Sequence, residues 1–248
     1  MNTSSPTATT PTNPTTALTP PAPTAVAAHD LDVARADDYR WLARLGALGG
    51  GALIAAPLLI TAGAATSPPQ ESDAPSDYIA SLAADPVLTS VSASLFHYGW
   101  VLFAFGAIAA IGLVRGRRGR GVTTVGALLG AFGSIQLSGM LLSDWFLASL
   151  GNTVSPDEAV AVFTGLGDAS FSVWMLTAKV GAILFLPVMF MGLARAGVLS
   201  WWIAPLPLFS MVAFGVIGGP VGIVLAAALY APSYVAGARL VARSRARA

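Results

Sequence analysis

What most constrains this chain is the length of its apolar runs. Between Leu45 and Ala238 several stretches of about 20 residues or more pass without a charged side chain, the length a helix needs to cross the hydrocarbon of a bilayer. Soluble domains cover their surfaces with about 25% charged residues. Here charged residues make up 10% of the 248, and mean hydropathy is +0.70. A single soluble globular domain is therefore excluded.

Six spans can be placed along the sequence. The first runs from about Leu45 to Ala65. A second opens at Asp85-Pro86, an N-cap followed by proline at the first helical position, and continues to about Val114. The third covers about Gly121 to Leu150, and the fourth begins near Asp168 or Ser170 and ends at Ala194. The fifth and sixth occupy about Trp201 to Gly218 and Pro220 to Ala238, parted by Gly218-Gly219-Pro220. The expected fold is an all-α polytopic integral membrane bundle of six transmembrane helices over residues 39–242. A Thr/Pro-rich disordered cytoplasmic tail (1–38) precedes it, and a basic cytoplasmic tail (243–248) follows. The tail is almost entirely Thr, Pro, Ala, Ser and Asn to about residue 28, too poor in apolar bulk to offset the entropy of ordering. It has neither the basic start nor the apolar core of a secretory signal. Residues 201–238 also admit a reading as one long broken helix, with five spans in all.

Charge placement decides between the two. Arg35, Arg40 and Arg44 precede the first span, Arg115, Arg117, Arg118 and Arg120 follow the second, Arg195 follows the fourth, and Arg239, Arg243, Arg245 and Arg247 close the chain. The loops at about 66–84 and 151–167 carry Glu71, Asp73, Asp77, Asp157 and Glu158, and no Lys or Arg. By the positive-inside rule both termini and the Arg115–Arg120 loop face the cytoplasm. An even number of crossings follows. High Ala, Gly, Val and Arg usage with a single Lys points to a high-GC bacterium and its cytoplasmic membrane.

Ionisable groups at membrane depth are expensive, so each one calls for an explanation. Three fall within spans: His97 in the second, Asp144 in the third, and Lys179, the only lysine, in the fourth. At helical rise they lie roughly 16, 9 and 14 Å from the outer ends of their spans, a common level in the outer half. They form a candidate polar cluster, extended by Gln136 and Ser138 with Ser134 and Ser143. The plainer alternative is an Asp144–Lys179 ion pair with His97 bonded to a neighbouring backbone, or a Lys179 that reaches back to the interface along its methylene stem.

Other motifs are short. Gly165-Leu166-Gly167-Asp168 resembles the Gly-x-Gly-Asp motif of intramembrane aspartyl proteases over four residues. Such enzymes also need a Tyr-Asp pair on the preceding helix, which here reads Ser143-Asp144-Trp145. Asp168 is instead expected to cap the fourth span. A rhomboid-type serine protease needs Gly-x-Ser-Gly. Gln136-Leu137-Ser138-Gly139 departs from it, and His97 would serve from an earlier helix than that family's order. Ser155-Pro156-Asp157-Glu158 is a capping box that predicts a short external helix. A second is expected from Asp77 to Ala84, with Tyr78, Ile79 and Leu82 facing the membrane surface. The Gly-x-x-x-Gly pairs Gly46/Gly50 and Gly126/Gly130 let helices approach closely and are expected to pack within the bundle.

The absence of cysteine excludes disulfides, thiolate metal sites and cysteine nucleophiles. With only His29 and His97, no metal or cofactor is expected. The arginines lack a folded platform for nucleic acid, so no nucleic-acid partner is expected. Arg115, Arg117, Arg118 and Arg120 are suited to contact lipid headgroups. The expected partners are the lipid bilayer, another membrane protein, and a small ligand entering from the external side. The leading functional reading is a non-enzymatic structural or accessory membrane component. The alternative is a small transporter or proton-coupled binding protein using His97, Asp144 and Lys179, and an intramembrane enzyme is third.

Overall fold

The computed structural model describes residues 25–167 and 169–246, with side chains for 40–167, 171–210, 212–214 and 216–246. The chain divides into two units, residues 1–38 and 39–248. Residues 1–24 of the expected disordered tail lie outside the described residues. Helical backbone already starts at Ala25, inside that expected tail, where α1 (Ala25–Ala65) begins. Ala25, Ala27, Ala28, Ala34 and Ala36 are the strongest helix formers available.

The second unit is all helical. α2 (Pro75–Ala84) and α3 (Pro86–Ala110, ending in a 3₁₀ turn at Ile111–Leu113) follow α1. Asp85 caps α3 by accepting from the Leu88 N–H at 2.9 Å, with Pro86 at the first helical position. α4 (Arg120–Met140) continues after a short break into α5 (Leu142–Gly151). α6 (Pro156–Gly165) carries the capping box in full: Ser155 and Glu158 each bond the other's backbone N–H. α7 (Ala169–Arg195), α8 (Leu206–Val212, with a π turn at Ala213–Ile217), α9 (Gly219–Leu229) and α10 (Ala231–Arg245) complete the fold.

Neighbouring helices run antiparallel along seams of small residues. On α4, Gly126, Gly130 and Gly133 meet Met189, Phe185 and Ala182 of α7 in reverse order. A Cβ on Gly133 would stand 2.7 Å from the Ala182 nitrogen, so here backbone touches backbone. Gly46 and Gly50 of α1 pack on Ser244 and Gly237 of α10, and Ser233 donates to the Leu53 carbonyl at 2.7 Å. Both Gly-x-x-x-Gly pairs thus pack inside the bundle. α3 lies against α1 through Gly99 on Ile60 and Gly106 on Leu53. Phe103 and Phe185 meet edge to face, 5.4 Å between centroids, in a core that also holds Met189, Phe190 and Leu193.

The outward faces stay apolar. Phe105, Phe132, Ile135, Leu176 and Val216 are exposed, which is the surface a lipid solvent requires and a water-facing one rarely shows. Four helical stretches are long and apolar enough to cross a membrane: Arg40–Ala65, Pro86–Leu113, Arg120–Gly151 and Phe171–Arg195. α9 and α10, bent by 41° at Tyr230, pass the same test together as a fifth. The chain is a multi-pass helical membrane protein in contact with the bilayer.

The expected fifth span, Trp201 to Gly218, forms differently. Residues 201–205 are turns, and helix starts only at Leu206. Pro205 and Pro207 lack the amide donors a helix interior needs but suit a first turn. About twelve helical residues reach about 18 Å, short of the hydrocarbon thickness of about 30 Å. Nor is 201–238 one long helix. Ala213 abuts Gly222, so the chain folds back at Gly218 and Gly219, both at positive φ.

The α4–α7 seam supplies a test. Gly133→Val forces its side chain into the Gly181–Ala182 backbone and should lower stability by about 1–3 kcal/mol. Gly51→Val, where nothing lies within 4 Å of the added Cβ, should stay near wild type. Thermal melts in detergent check this, and equal melting of the two variants would refute the seam.

Candidate functional site

The five residues of the expected cluster do not meet at one place: His97 and Ser138 touch, and Gln136, Lys179 and Asp144 lie elsewhere. Helical numbering sets their depth, but their rotation about each helix axis sends them to separate partners. His97 of α3 meets Ser138 of α4: its Nδ1 lies 3.0 Å from the Ser138 hydroxyl and 3.2 Å from the Ser138 carbonyl. In one tautomer the hydroxyl donates to Nδ1, and in the other Nδ1–H donates to the carbonyl. Gln136, two residues earlier on α4, turns instead to α7 and accepts from the Thr177 hydroxyl at 2.9 Å. The Gln136 side-chain nitrogen and the neighbouring Ser134 hydroxyl have no hydrogen-bond partner among the described residues.

Lys179 is exposed on α7, between the exposed Leu176, Val180 and Ile183. No ion pair joins it to Asp144 among the described residues, so the expected Asp144–Lys179 pair is not formed. Its place on the apolar outer face matches a lysine whose stem runs along the helix toward the interface.

Asp144 looks the other way, toward a cap of short helices. Its Oδ1 accepts from the Tyr78 hydroxyl at 2.6 Å. Tyr78 is held by α2, whose Ile79 and Leu82 are buried against Leu147 and Ala148 of α5 and Ala159 of α6. The α2 side chains expected at the membrane surface therefore form the core of this cap instead. α2 finds an apolar partner because α5 and α6 present one directly opposite. Burial, with Asp144 beside it, pushes the Tyr78 phenol up from its ordinary value, so it keeps its proton and serves as donor. At the rim of the cap, the Ser155 hydroxyl and N–H hold the exposed Glu158 carboxylate below its ordinary range.

Between cap and bundle lies a cavity of about 320 Å³. Asp144 and Tyr78 form one wall, Ser67, Ser92 and Thr89 another, and Phe96 and Trp100 the floor. The hydroxyls are fixed: Ser67 and Ser92 stand 2.9 Å apart, and Thr89 donates to the Leu82 carbonyl at 2.9 Å. A second cavity of about 380 Å³ shares Ser67, Phe96 and Trp100 and is lined beyond them by Ile60, Phe214, Ile223 and Tyr230. One carboxylate at a polar mouth, aromatic rings below it and a greasy compartment alongside can hold an amphiphile. Tyr78, Thr177 and the aromatic floor were missed in the sequence. Tyr78 gave the one usable signal, a phenol on the short helix expected in the loop at about 66–84.

Chemistry beyond binding has a narrow basis. Ser138 and His97 have the contact of a nucleophile and its base, which their order in the chain argued against. Yet Ser138 is 9% exposed, and neither residue lines the two cavities. Asp168 of the protease-like motif lies outside the described residues. No three His, Asp or Glu side chains among the described residues could hold a metal ion. Arg115, Arg117, Arg118 and Arg120 are all exposed, at the opposite end of the bundle.

A fluorophosphonate probe separates fastening from catalysis at Ser138. The buried contact predicts no labelling of the purified protein, whereas labelling that Ser138→Ala abolishes would establish an active nucleophile. Comparison with known protein families, curated proteins and solved structures finds no match to this chain.

Proposed function

We propose that this is a non-enzymatic bacterial cytoplasmic-membrane protein of six crossings that binds a small organic cation or amine at its outer face. The observation that carries the reading is Asp144. Its carboxylate lines a cavity floored by Phe96 and Trp100, bonded to a phenol and to no cation among the described residues. A carboxylate beside aromatic faces attracts ammonium groups by charge and by the ring quadrupole together. This keeps Asp144 from the expected His97, Asp144 and Lys179 set and replaces the other two with Tyr78 and Trp100.

The direction of the helices supports the sixth crossing. α10 runs antiparallel to α1, so the chain returns to the end at which α1 entered. α7 finishes at that end too: the Val198 carbonyl just beyond it accepts from Arg239 of α10. Gly218 lies with Ala64 toward the other end. These directions support a further crossing by residues 199–218, in a segment partly of turns. Six crossings with arginines at one end favour cytoplasmic termini.

A second reading, the structural or accessory component, draws on the remaining polar groups. His97 fastens α3 to α4, and Gln136 fastens α4 to α7. These contacts serve assembly, and the exposed Lys179 offers a neighbouring membrane protein an ionic contact.

Binding of benzyltrimethylammonium to nanodisc-held protein, read by tryptophan fluorescence with Trp100→Phe as control, distinguishes the two. Asp144→Asn should weaken affinity roughly tenfold or more. Equal affinity in wild type and Asp144→Asn would discard the cation site and leave the accessory reading.

A further inference from the structure

The cavity beneath the cap has an apolar neighbour of about 380 Å³, and Ser67, Phe96 and Trp100 line both. The two linings differ in kind. Around Asp144 stand the hydroxyls of Tyr78, Ser81, Thr89 and Ser92. Beyond Phe96 and Trp100 the described lining is Ile60, Ala64, Phe214, Ile223 and Tyr230 with the Gly218-Gly219 turn. Past Ser67, the Trp100 indole and the Tyr230 phenol are its only polar side chains among the described residues.

The second hollow has a local cause. The chain folds back at Gly218 and Gly219, whose φ values of +60 and +55 suit a residue without a Cβ. The turn therefore brings no side chain into the space beside α1, α3 and α9. No described atom lies within 4 Å of a Cβ built at either glycine. Phe96 packs on Gly63 of α1, where an added Cβ would stand 3.0 Å from the ring. Phe96 and Trp100 stay half-buried and keep ring surface on both cavities. The hydroxyls at the boundary turn inward: Ser67 and Ser92 lie 3.0 and 2.9 Å from the Gly63 carbonyl. Ring faces dominate the boundary as a result.

Water in such a hollow finds few partners, whereas hydrocarbon gains by leaving water for it. A cation held at Asp144 that also carries an alkyl chain can lay that chain past the two rings. We infer that the amine bound at Asp144 is a single-chain amphiphile, with its ammonium group at the carboxylate and its tail in the second cavity. The inference rests on the amine reading of Asp144 and adds the class of ligand, a long-chain alkylamine in place of a compact one.

Calorimetry on the full chain in phosphatidylcholine nanodiscs, with empty nanodiscs subtracted, compares tetramethylammonium with its butyl-, hexyl- and octyltrimethylammonium homologues. Affinity should rise along the series by up to roughly fourfold for each methylene buried. Ala64 lines the second cavity and not the first. Ala64→Phe should therefore flatten the rise and leave tetramethylammonium at its wild-type affinity, which also shows that the variant folds. Ile223→Phe, filling the hollow from α9, should do the same, so the test does not hang on one variant. Asp144→Asn should weaken every member by roughly tenfold or more. A flat series in the wild type, still weakened by Asp144→Asn, would overturn the tail site and leave the amine reading standing. A rise equally steep in both phenylalanine variants would overturn the tail site as well. Affinity that climbs with chain length but ignores Asp144→Asn would discard the amine reading and this ligand with it.

Discussion

The contact on which the bundle rests is backbone against backbone along the glycine seams. In lipid the hydrophobic effect gives helices no reason to associate, because the tails are as apolar as the side chains. Close approach and van der Waals contact must do that work. Gly126, Gly130, Gly133 and Gly181 let α4 and α7 come near enough, and Gly46, Gly50 and Gly237 do the same for α1 and α10. Because each seam runs antiparallel, the two together fix which helix ends share a side. The arginines of the Arg115–Arg120 turn and of the C-terminal helix meet at one end for that reason, and the acidic cap of α2, α5 and α6 stands at the other.

The two ends have opposite chemistry, and each is built from the places where helices stop. At the cap, the capping box of α6 and the proline start of α3 set short helices over the bundle, and Ile79 and Leu82 close the gap to α5. Tyr78 thereby arrives at Asp144, and a cavity is left beneath. At the arginine end, terminated helices leave carbonyls that hold Arg239 and Arg243.

Much of this was legible in the sequence, and what was not has a common cause. Apolar run length located four long helices, and Asp85-Pro86 and Ser155–Glu158 marked their helix starts correctly, since caps are local chemistry. The polar groups within the apolar runs were legible as such: His97 meets Ser138, and Gln136 meets Thr177. Rotation about the helix axis was not. A span that is apolar on every face carries no amphipathic stripe to say which side turns inward, so Lys179 could not be assigned to the lipid face, nor Asp144 to the cap. Residues 201–218 failed differently. Their composition suits a span, but Pro205 and Pro207 delay the helix, and only the fold-back at Gly218 shows how the segment is used.

The antiparallel order of the seams is tested most directly by side-specific thiol labelling, for which a chain without cysteine is a ready background. Single cysteines at Ser72 beside the cap, at Gly116 in the arginine turn and at Arg245 in α10 would be treated in intact cells with an impermeant maleimide. The account requires Ser72→Cys to react at once, and Gly116→Cys and Arg245→Cys to react together only after the membrane is opened. Reaction of Arg245→Cys on the same side as Ser72→Cys would break the order of crossings and the shared arginine end with it.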